Sequence, residues 1–317
     1  MQISATAFHR SLHLDDDKLE HPDSECPFCG FRNRQPVYVL QDNPQVLLLK
    51  CTVCNAASAS RMPTNDALRE YYGSYYKSPM NSDSRENITF DDPQRFARHL
   101  VDMILKYQTD AHVSILDFGG GDGSISYSVA MQLLKKGVDV IDITVVDYDD
   151  KTILPQDRRI SINKLSALED IRSLYSIVIA SAIIEHLPRP QETLHGLLNH
   201  LENRGIFYAR TPYVVPLMKT CSLIGVEWDF TYPAHIHDLG QDFWETYFKK
   251  KISIGDFQIL ESKPSIVETT LEKHFLRTIA AYSLKAPWYL LGWRYKLVGG
   301  WEVLVRKSPG KDVGIKP

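Results

Sequence analysis

The chain has 317 residues, of which 44% are hydrophobic and 24% charged, as is typical of a soluble globular protein with about two domains. Its net charge of −3 argues against general binding to nucleic acid, which usually needs a strongly basic surface. No apolar run approaches the roughly 20 residues of a membrane-spanning helix, and the polar N-terminus has no signal-peptide core. We therefore expect a cytoplasmic protein.

Residues 1–22 are predicted to be a polar lead-in, and residues 23–60 a small metal-binding module. Two Cys-x-x-Cys pairs, Cys26/Cys29 and Cys51/Cys54, flank two short apolar stretches that are typical of a β-hairpin. Two such pairs complete a closed tetrahedral thiolate site, so we predict a zinc ribbon that holds a structural Zn²⁺. A redox-active Cys-x-x-Cys needs only one pair, and structural disulfides are rare in cytosolic proteins.

Residues 61–91 form a predicted linker with a short helix and an aromatic segment. Four tyrosines lie close together there: Tyr71, Tyr72, Tyr75 and Tyr76. They either form an aromatic wall or lid beside a substrate cleft or pack the small module against the core, and both interpretations remain open. Apolar residues at helical spacing then predict a core helix over residues 93–107.

Residues 114–130 are predicted to form a buried strand, a glycine-rich turn and a helix. Asp117 lies in the strand, and four glycines follow within five positions: Gly119, Gly120, Gly121 and Gly123. Such a turn brings bare backbone close to a ligand. The G-x-G-x-x-G spacing of dinucleotide sites is missing, and acidic side chains repel phosphate but suit an amine. The pattern favours a nucleoside-type cofactor with positive charge, and a purely structural turn is the alternative.

The run Asp117-x-Gly119-x-Gly121-x-Gly123 resembles the first motif of class I S-adenosylmethionine-dependent methyltransferases. The resemblance implies an α/β, Rossmann-like seven-stranded sheet over residues 92–308, with S-adenosylmethionine across the strand ends. The next predicted strand ends at Asp147, where an acid is placed to accept hydrogen bonds from ribose hydroxyls. Tyr148 is expected to pack on the adenine face.

Two further strand ends extend the resemblance. After the third predicted strand, where many relatives carry an acid, this chain has Leu165-Ser166, so Ser166 or a backbone amide is expected to contact adenine. Residues 176–190 resemble the family's fourth strand and its Glu-His-Leu segment. Ala180 and Ser181 are expected at the methyl-donor side, and His186 either orients the cofactor or is structural.

The fifth predicted strand (residues 206–209) leads to Tyr213, which is expected to face the substrate because ligands bind beyond the carboxyl ends of parallel strands. An insertion at about residues 214–242 contains His235 and His237, which should point in opposite directions in an extended loop. One of them is expected to act as a base for an acceptor hydroxyl. A metal site built from histidine and aspartate and a structural role are the alternatives.

Residues 270–293 form an aromatic, helix-like segment with a break at Pro287. We expect it to pack on the sheet or on a second subunit in a homo-oligomer, in preference to lying on a membrane surface. A last strand (residues 301–305) and a polar tail (residues 309–317) complete the chain.

The combined features predict an S-adenosylmethionine-dependent methyltransferase. A cysteine-rich module before such a core resembles enzymes that methylate sugars, so we expect a saccharide or glycan hydroxyl as the acceptor. A zinc-ribbon RNA methyltransferase is the alternative, but it would need a basic face. A non-catalytic binding module would not need Asp117, the glycines and Asp147.

Overall fold

A computed structural model describes residues 2–4, 11–77, 92–108, 110–148, 151–250 and 255–309. The strands are, in chain order, β1 (Gln2–Ser4), β2 (Arg34–Gln41), β3 (Val46–Cys51), β4 (Ala57–Ala59), β5 (His112–Phe118), β6 (Val140–Val146), β7 (Ile160–Leu165), β8 (Tyr175–Ser181), β9 (Leu201–Tyr213), β10 (Glu227–Asp229), β11 (His237–Asp238), β12 (Phe257–Pro264) and β13 (Gly299–Lys307). The α-helices are α1 (Asn65–Lys77), α2 (Pro93–Ile104), α3 (Ser124–Lys135), α4 (Pro190–Asn199), α5 (Val215–Ser222), α6 (Gln241–Lys249), α7 (Phe275–Lys285) and α8 (Trp288–Leu291).

The main sheet has seven strands in the order β12-β13-β9-β8-β5-β6-β7. Strands β5 to β9 run parallel to one another, whereas β13 is antiparallel to both β9 and β12. Continuous apolar runs such as Ile177, Val178 and Ile179 are fully buried because helices cover both faces. The topology confirms the predicted α/β, Rossmann-like sheet and brings the carboxyl ends of β5, β6, β8 and β9 to one edge.

Two helical layers bury the sheet. On one face α2 and α3 share a core that contains Phe96, Leu100 and Leu133. Helix α2 begins at Pro93, and its N-cap Asp92 accepts a hydrogen bond from the Arg95 amide at 3.0 Å. The other face packs against α4 and α6.

The cysteine module lies against the second face. Strands β2, β3 and β4 form an antiparallel sheet, to which β11 of the insertion adds a fourth strand. Phe28, from the first Cys-x-x-Cys pair, is fully buried and packs edge-on against Phe243 and His237, at 4.8 Å between ring centroids in each case. The module and the main sheet therefore share one hydrophobic core.

Two features of the structure differ from what the local sequence pattern predicts. Leu14 and Leu19 of the lead-in are buried against Tyr232, although the acids between them are exposed as expected. Strand β9 is much longer than predicted, because β8 pairs with its start at Leu201 and the antiparallel β13 extends its ladder as far as Tyr213. Both differences arise from partners that are distant in the sequence.

The aromatic C-terminal segment forms α7 and α8, with the expected break before α8. Trp288 packs on Trp301 at 5.6 Å, but Leu276 and Leu290 are 79% and 90% exposed. Packing on the sheet therefore accounts for only part of the segment. Among the residues that the structure describes, no helix is long and apolar enough to cross a membrane. The side chains of Tyr75 and Tyr76 and residues 310–317 lie outside the described part.

Candidate active site

The turn after β5 needs glycine for packing as well as for conformation. Gly119 has a φ of +72°, and its amide donates to the carbonyl of Val146 at 2.8 Å. A Cβ on Gly119 would lie 2.6 Å from Ile183, and one on Gly120 would overlap the carboxyl group of Asp117. The backbone is thus pressed directly against the strand ends.

Asp117 lies beneath this turn and is only 3% exposed. Its Oδ2 has no hydrogen-bond partner among the described residues. Burial raises the pKa of this carboxyl to about 6. A buried carboxylate oxygen of this kind is placed to accept a hydrogen bond from a ligand. On the turn itself, Gly121 has a φ of +57°, and a Cβ added there would have no atom within 4 Å.

The acid at the end of the neighbouring strand reaches the same turn. Oδ2 of Asp147 accepts a hydrogen bond from the Gly121 amide at 2.8 Å, and the ammonium of Lys164 donates to the Gly121 carbonyl. Tyr148 is 96% exposed, and Ser166 is also exposed at the end of β7. The structure therefore brings Asp117, the glycines and Asp147 together, whereas the adenine contacts of Tyr148 and Ser166 stay predictions.

A second group of polar side chains occupies the ends of β8 and β9. The Nε of Arg210 donates to the hydroxyl of Ser181 at 3.2 Å, and its Nη1 donates to the carboxylate of Glu268. Arg210 is 5% exposed, and the neighbouring Ala180 is fully buried. A charged guanidinium held in this way gives the strand ends a fixed polar lining.

A short 3-10 turn (Ile184–His186) places Glu185 and His186 beside His235 of the insertion. Glu185 is 2% exposed, and burial raises the pKa of its carboxyl to about 8. Its Oε1 lies 3.9 Å from Nε2 of His186, whose ring centroid is 4.9 Å from that of His235. One ligand atom from each of the three side chains lies within 4.8 Å of the others.

Hydrogen bonds orient both imidazoles. Nδ1 of His186 donates to the carbonyl of Ala234 at 2.8 Å and lies 3.1 Å from the hydroxyl of Tyr72. Nδ1 of His235 lies 3.0 Å from Oγ1 of Thr231. The Tyr72 contact joins the aromatic segment to this group, although the same segment also packs Tyr71 into the core.

His237 and Tyr213 have different surroundings. His237 is fully buried against Phe28, its Nε2 donates to the carbonyl of Leu187 at 2.8 Å, and burial lowers its pKa to about 3. A neutral imidazole enclosed between the cysteine module and the core cannot meet a substrate, so of the two histidines we retain only His235 as a candidate base. The Tyr213 ring packs on Gly240, and burial raises the pKa of its hydroxyl above the usual range.

The four cysteines of the small module converge. Sγ of Cys26 lies 3.5 Å from Sγ of Cys54, and Sγ of Cys29 lies 3.6 Å from Sγ of Cys51. All four are free thiols whose sulfur atoms lie within 4.8 Å of one another. Four sulfur donors in this arrangement suit a closed tetrahedral site.

Comparison with known proteins gives distant relatives. No protein-family model matches the chain. The ubiquinone biosynthesis O-methyltransferase of Rickettsia canadensis is 28% identical over 132 residues, which cover 40% of this chain and 54% of that protein. The enzyme of the same name from Rickettsia felis is 24% identical over 170 residues, which cover 52% and 69%. The chain thus spans about half the length of the first of these relatives.

Among solved structures, the plantazolicin methyltransferase BpumL in complex with SAH aligns with 74% of this chain and 93% of its own, at 17% identity and a TM-score of 0.45. Two features match the predicted family. One is the strand order, in which the antiparallel β13 lies between β12 and β9, and the other is the glycine turn with its acidic residues between β5 and α3. The fold is that of a class I S-adenosylmethionine-dependent methyltransferase.

Two regions of this methyltransferase fold carry the candidate site. The cofactor corner consists of Asp117, the glycine turn and Asp147. The second region, which we call the acceptor corner for the role proposed below, consists of Ser181, Glu185, His186, Arg210 and His235. Sequence reasoning missed Arg210 and its partner Glu268, and it left Glu185 unassigned although an acid within the apolar segment IIEHL was a visible signal.

Proposed function

We propose that this protein is an S-adenosylmethionine-dependent methyltransferase that methylates a hydroxyl group of a small-molecule acceptor. One observation carries the proposal. Oδ2 of Asp117 is buried beneath the glycine turn and has no hydrogen-bond partner among the described residues, and Asp147 contacts the same turn. The names of the curated relatives, which are O-methyltransferases, support oxygen as the methylated atom.

The cofactor corner fits the cofactor by its donor chemistry. S-adenosylmethionine supplies a methyl group on a positively charged sulfur. The carboxylate of Asp117 would accept from the cofactor amine, and Asp147 would accept from ribose hydroxyls. The remaining predicted cofactor contacts are Gly119, Gly120, Gly121, Gly123, Tyr148, Ser166 and Ala180, together with Ser181 and His186, which also belong to the acceptor corner. These residues contribute orientation and exclusion of water.

The acceptor corner lies next along the same sheet edge. A hydroxyl must lose its proton as its oxygen takes the methyl group, and the imidazole of His235 is the candidate base. Tyr213, at the end of β9, stays a candidate for substrate contact. We keep the saccharide or glycan hydroxyl as the predicted acceptor. The alternative acceptor is a hydroxylated compound of ubiquinone biosynthesis, which the names of the curated relatives suggest.

We also propose that Cys26, Cys29, Cys51 and Cys54 bind Zn²⁺ as thiolates. The four donors fill a tetrahedral coordination sphere and leave no position for water, so the ion would be structural. Phe28 then links the metal module to α6.

The first experiment is a calorimetric titration of the zinc-loaded protein with S-adenosylhomocysteine. We expect micromolar affinity, and a loss on the order of 100-fold in Asp147→Ala, because each hydrogen bond to a charged group contributes about 1.5–3 kcal/mol. Asp139→Ala is the matched control, since Asp139 is an exposed acid just before the amino end of β6. A folded wild-type protein that binds no S-adenosylhomocysteine would contradict the proposal.

Methyl uptake from labelled cofactor then identifies the acceptor. Saccharides, nucleotide sugars, hydroxylated ubiquinone precursors and RNA are compared under the same conditions. Methyl uptake by saccharides supports the predicted acceptor, and uptake by the ubiquinone precursors shows that they are the acceptor instead. Uptake by RNA contradicts the proposal of a small-molecule acceptor.

A further inference from the structure

The acceptor corner contains three side chains that metals prefer as ligands. We propose that Glu185, His186 and His235 bind a divalent first-row transition-metal ion. They offer one carboxylate oxygen and two imidazole nitrogens within 4.8 Å of one another. Their site is separate from the four cysteines, which lie in the other metal-binding module.

The buried carboxylate gives an independent reason for a cation. Glu185 is 2% exposed, and within the described chain its Oε2 has no hydrogen-bond partner. A carboxylate removed from water is costly unless it is paired or coordinates a metal. A cation between Glu185 and the two imidazoles would supply that missing interaction.

The hydrogen bonds of both histidines prepare them as ligands. Nδ1 of His186 donates to a backbone carbonyl, and Nδ1 of His235 donates to Oγ1 of Thr231, whose own proton goes to the carbonyl of Phe230 at 2.5 Å. With the proton held on each Nδ1, the lone pair lies on each Nε2. Metal-binding histidines are characteristically fixed in this way by a second hydrogen bond.

The backbone before His235 is also held in an unusual conformation. Thr231 is fully buried and has a φ of +66°, a region that β-branched residues rarely adopt. Such strain persists only where the surrounding structure enforces it, and it is frequent at binding sites. The turn that presents His235 is therefore specified by its contacts and not by local preference.

The ligand set indicates the class of ion. Mixed nitrogen and oxygen donors suit Zn²⁺, Fe²⁺ or Mn²⁺, whereas Mg²⁺ and Ca²⁺ prefer oxygen alone. Bonds of about 2.0–2.2 Å put neighbouring ligand atoms roughly 3.0–3.5 Å apart, so the three side chains would close by on the order of 1 Å. Three protein ligands leave a coordination position open, unlike the cysteine site.

The role of the cation rests on the proposed function, although its binding does not. A cation beside the acceptor lowers the pKa of the acceptor hydroxyl, whose proton leaves to solvent. The oxygen then forms the C–O bond while the S–C bond breaks, and the electron pair of that bond stays on sulfur. The imidazole of His235 acts in this case as a ligand and not as a base.

Cobalt titration of the full-length protein, loaded with one equivalent of Zn²⁺ for the cysteine site, tests the proposal without an activity assay. Co²⁺ bound by thiolates gives intense near-ultraviolet charge transfer, whereas Co²⁺ bound by nitrogen and oxygen gives only weak visible bands. We expect one cobalt of the second kind in the wild-type protein. Its affinity should fall at least tenfold, and up to about 100-fold, in Glu185→Gln and His235→Gln.

The control is His112→Gln, since His112 is an exposed histidine at the amino end of β5. Equal cobalt affinity in all four proteins, or charge-transfer bands alone, overturns the proposal. S-adenosylhomocysteine titration of the same samples separates the two proposals. If it binds and cobalt does not, the metal site fails while the methyltransferase function stands, and the reverse result retains the metal site alone.

Discussion

The cofactor corner and the acceptor corner share one sheet edge but are assembled differently. The cofactor corner comes from a single β-α-β unit that runs from β5 through α3 to β6. The acceptor corner collects residues from β8, the 3-10 turn after it, β9 and the insertion, and Tyr72 of α1 contacts it. One corner is therefore specified by neighbouring residues, whereas the other exists only after the whole chain has folded.

Both corners nevertheless bury a carboxylate in the same manner. Asp117 and Glu185 each have an oxygen without a hydrogen-bond partner in the described parts of the chain, and burial raises the pKa of both. Asp117 lies against the glycine turn, whereas Glu185 lies beside two oriented imidazoles. The difference suits an organic amine at the first corner and a metal ion at the second.

The largest effect is expected from Gly120→Ala in the cofactor corner. The new methyl group would overlap the Asp117 carboxyl, so the turn or the carboxylate must move. We expect S-adenosylhomocysteine affinity to fall more than 100-fold and the free energy of unfolding to fall by about 1–3 kcal/mol, while cobalt binding persists. Calorimetry and thermal denaturation measure the two losses.

Gly73→Ala is the control for this substitution, because a Cβ at Gly73 in α1 meets no atom within 4 Å. This control should leave the affinities for S-adenosylhomocysteine and for cobalt unchanged. Unchanged S-adenosylhomocysteine affinity in Gly120→Ala would show that the turn does not hold the cofactor.

A smaller effect should follow from pH at the same corner. Burial raises the pKa of Asp117 from 3.8 to about 6. In the proposed site the ammonium group of the cofactor, which S-adenosylhomocysteine retains, would bind the ionised carboxylate. Affinity for S-adenosylhomocysteine should therefore be about tenfold weaker at pH 5 than at pH 7. Calorimetry across this range checks the prediction, and Asp117→Asn should flatten the profile. A flat wild-type profile would exclude Asp117 as the charged partner.

The same shift has the opposite consequence for stability without ligand. Because the folded-state pKa of Asp117 lies above its ordinary value, the folded protein binds more protons between about pH 4 and pH 6. The contribution of Asp117 to the free energy of unfolding therefore falls as pH rises through this window. The contributions of Asp117 to cofactor binding and to apo stability should therefore change with pH in opposite directions.

The cofactor corner could be predicted from the sequence because the strand, the glycine turn and the acid at the end of the next strand follow one another at short, regular distances along the chain. The cysteine spacing likewise predicted four converging thiols, and the apolar runs predicted the parallel strands. Arg210 and Glu268 are 58 residues apart, and no local pattern connects them. The alternation of His235 and His237 predicted opposite directions. Only the structure shows that His237 is fully buried against Phe28, whereas His235, which is 7% exposed, lies beside His186.

Tyr72→Phe should have the smallest effect, and it distinguishes the two interpretations of the aromatic segment. The substitution keeps the ring but removes the hydroxyl that lies 3.1 Å from Nδ1 of His186. Since one hydrogen bond contributes about 0.5–1.5 kcal/mol net, we expect cobalt affinity to fall roughly two- to tenfold, with S-adenosylhomocysteine affinity unchanged.

Tyr38→Phe is the matched control, because Tyr38 lies in the cysteine module and its hydroxyl donates to the carbonyl of Trp228 in the insertion, without a hydrogen bond to His186. If Tyr72 belongs to the wall of the acceptor corner, only its own substitution should weaken cobalt binding. If the segment merely packs the module against the core, both variants should lower the melting temperature slightly and leave cobalt affinity unchanged. The acceptor corner would then end at His186, and α1 would have no part in it.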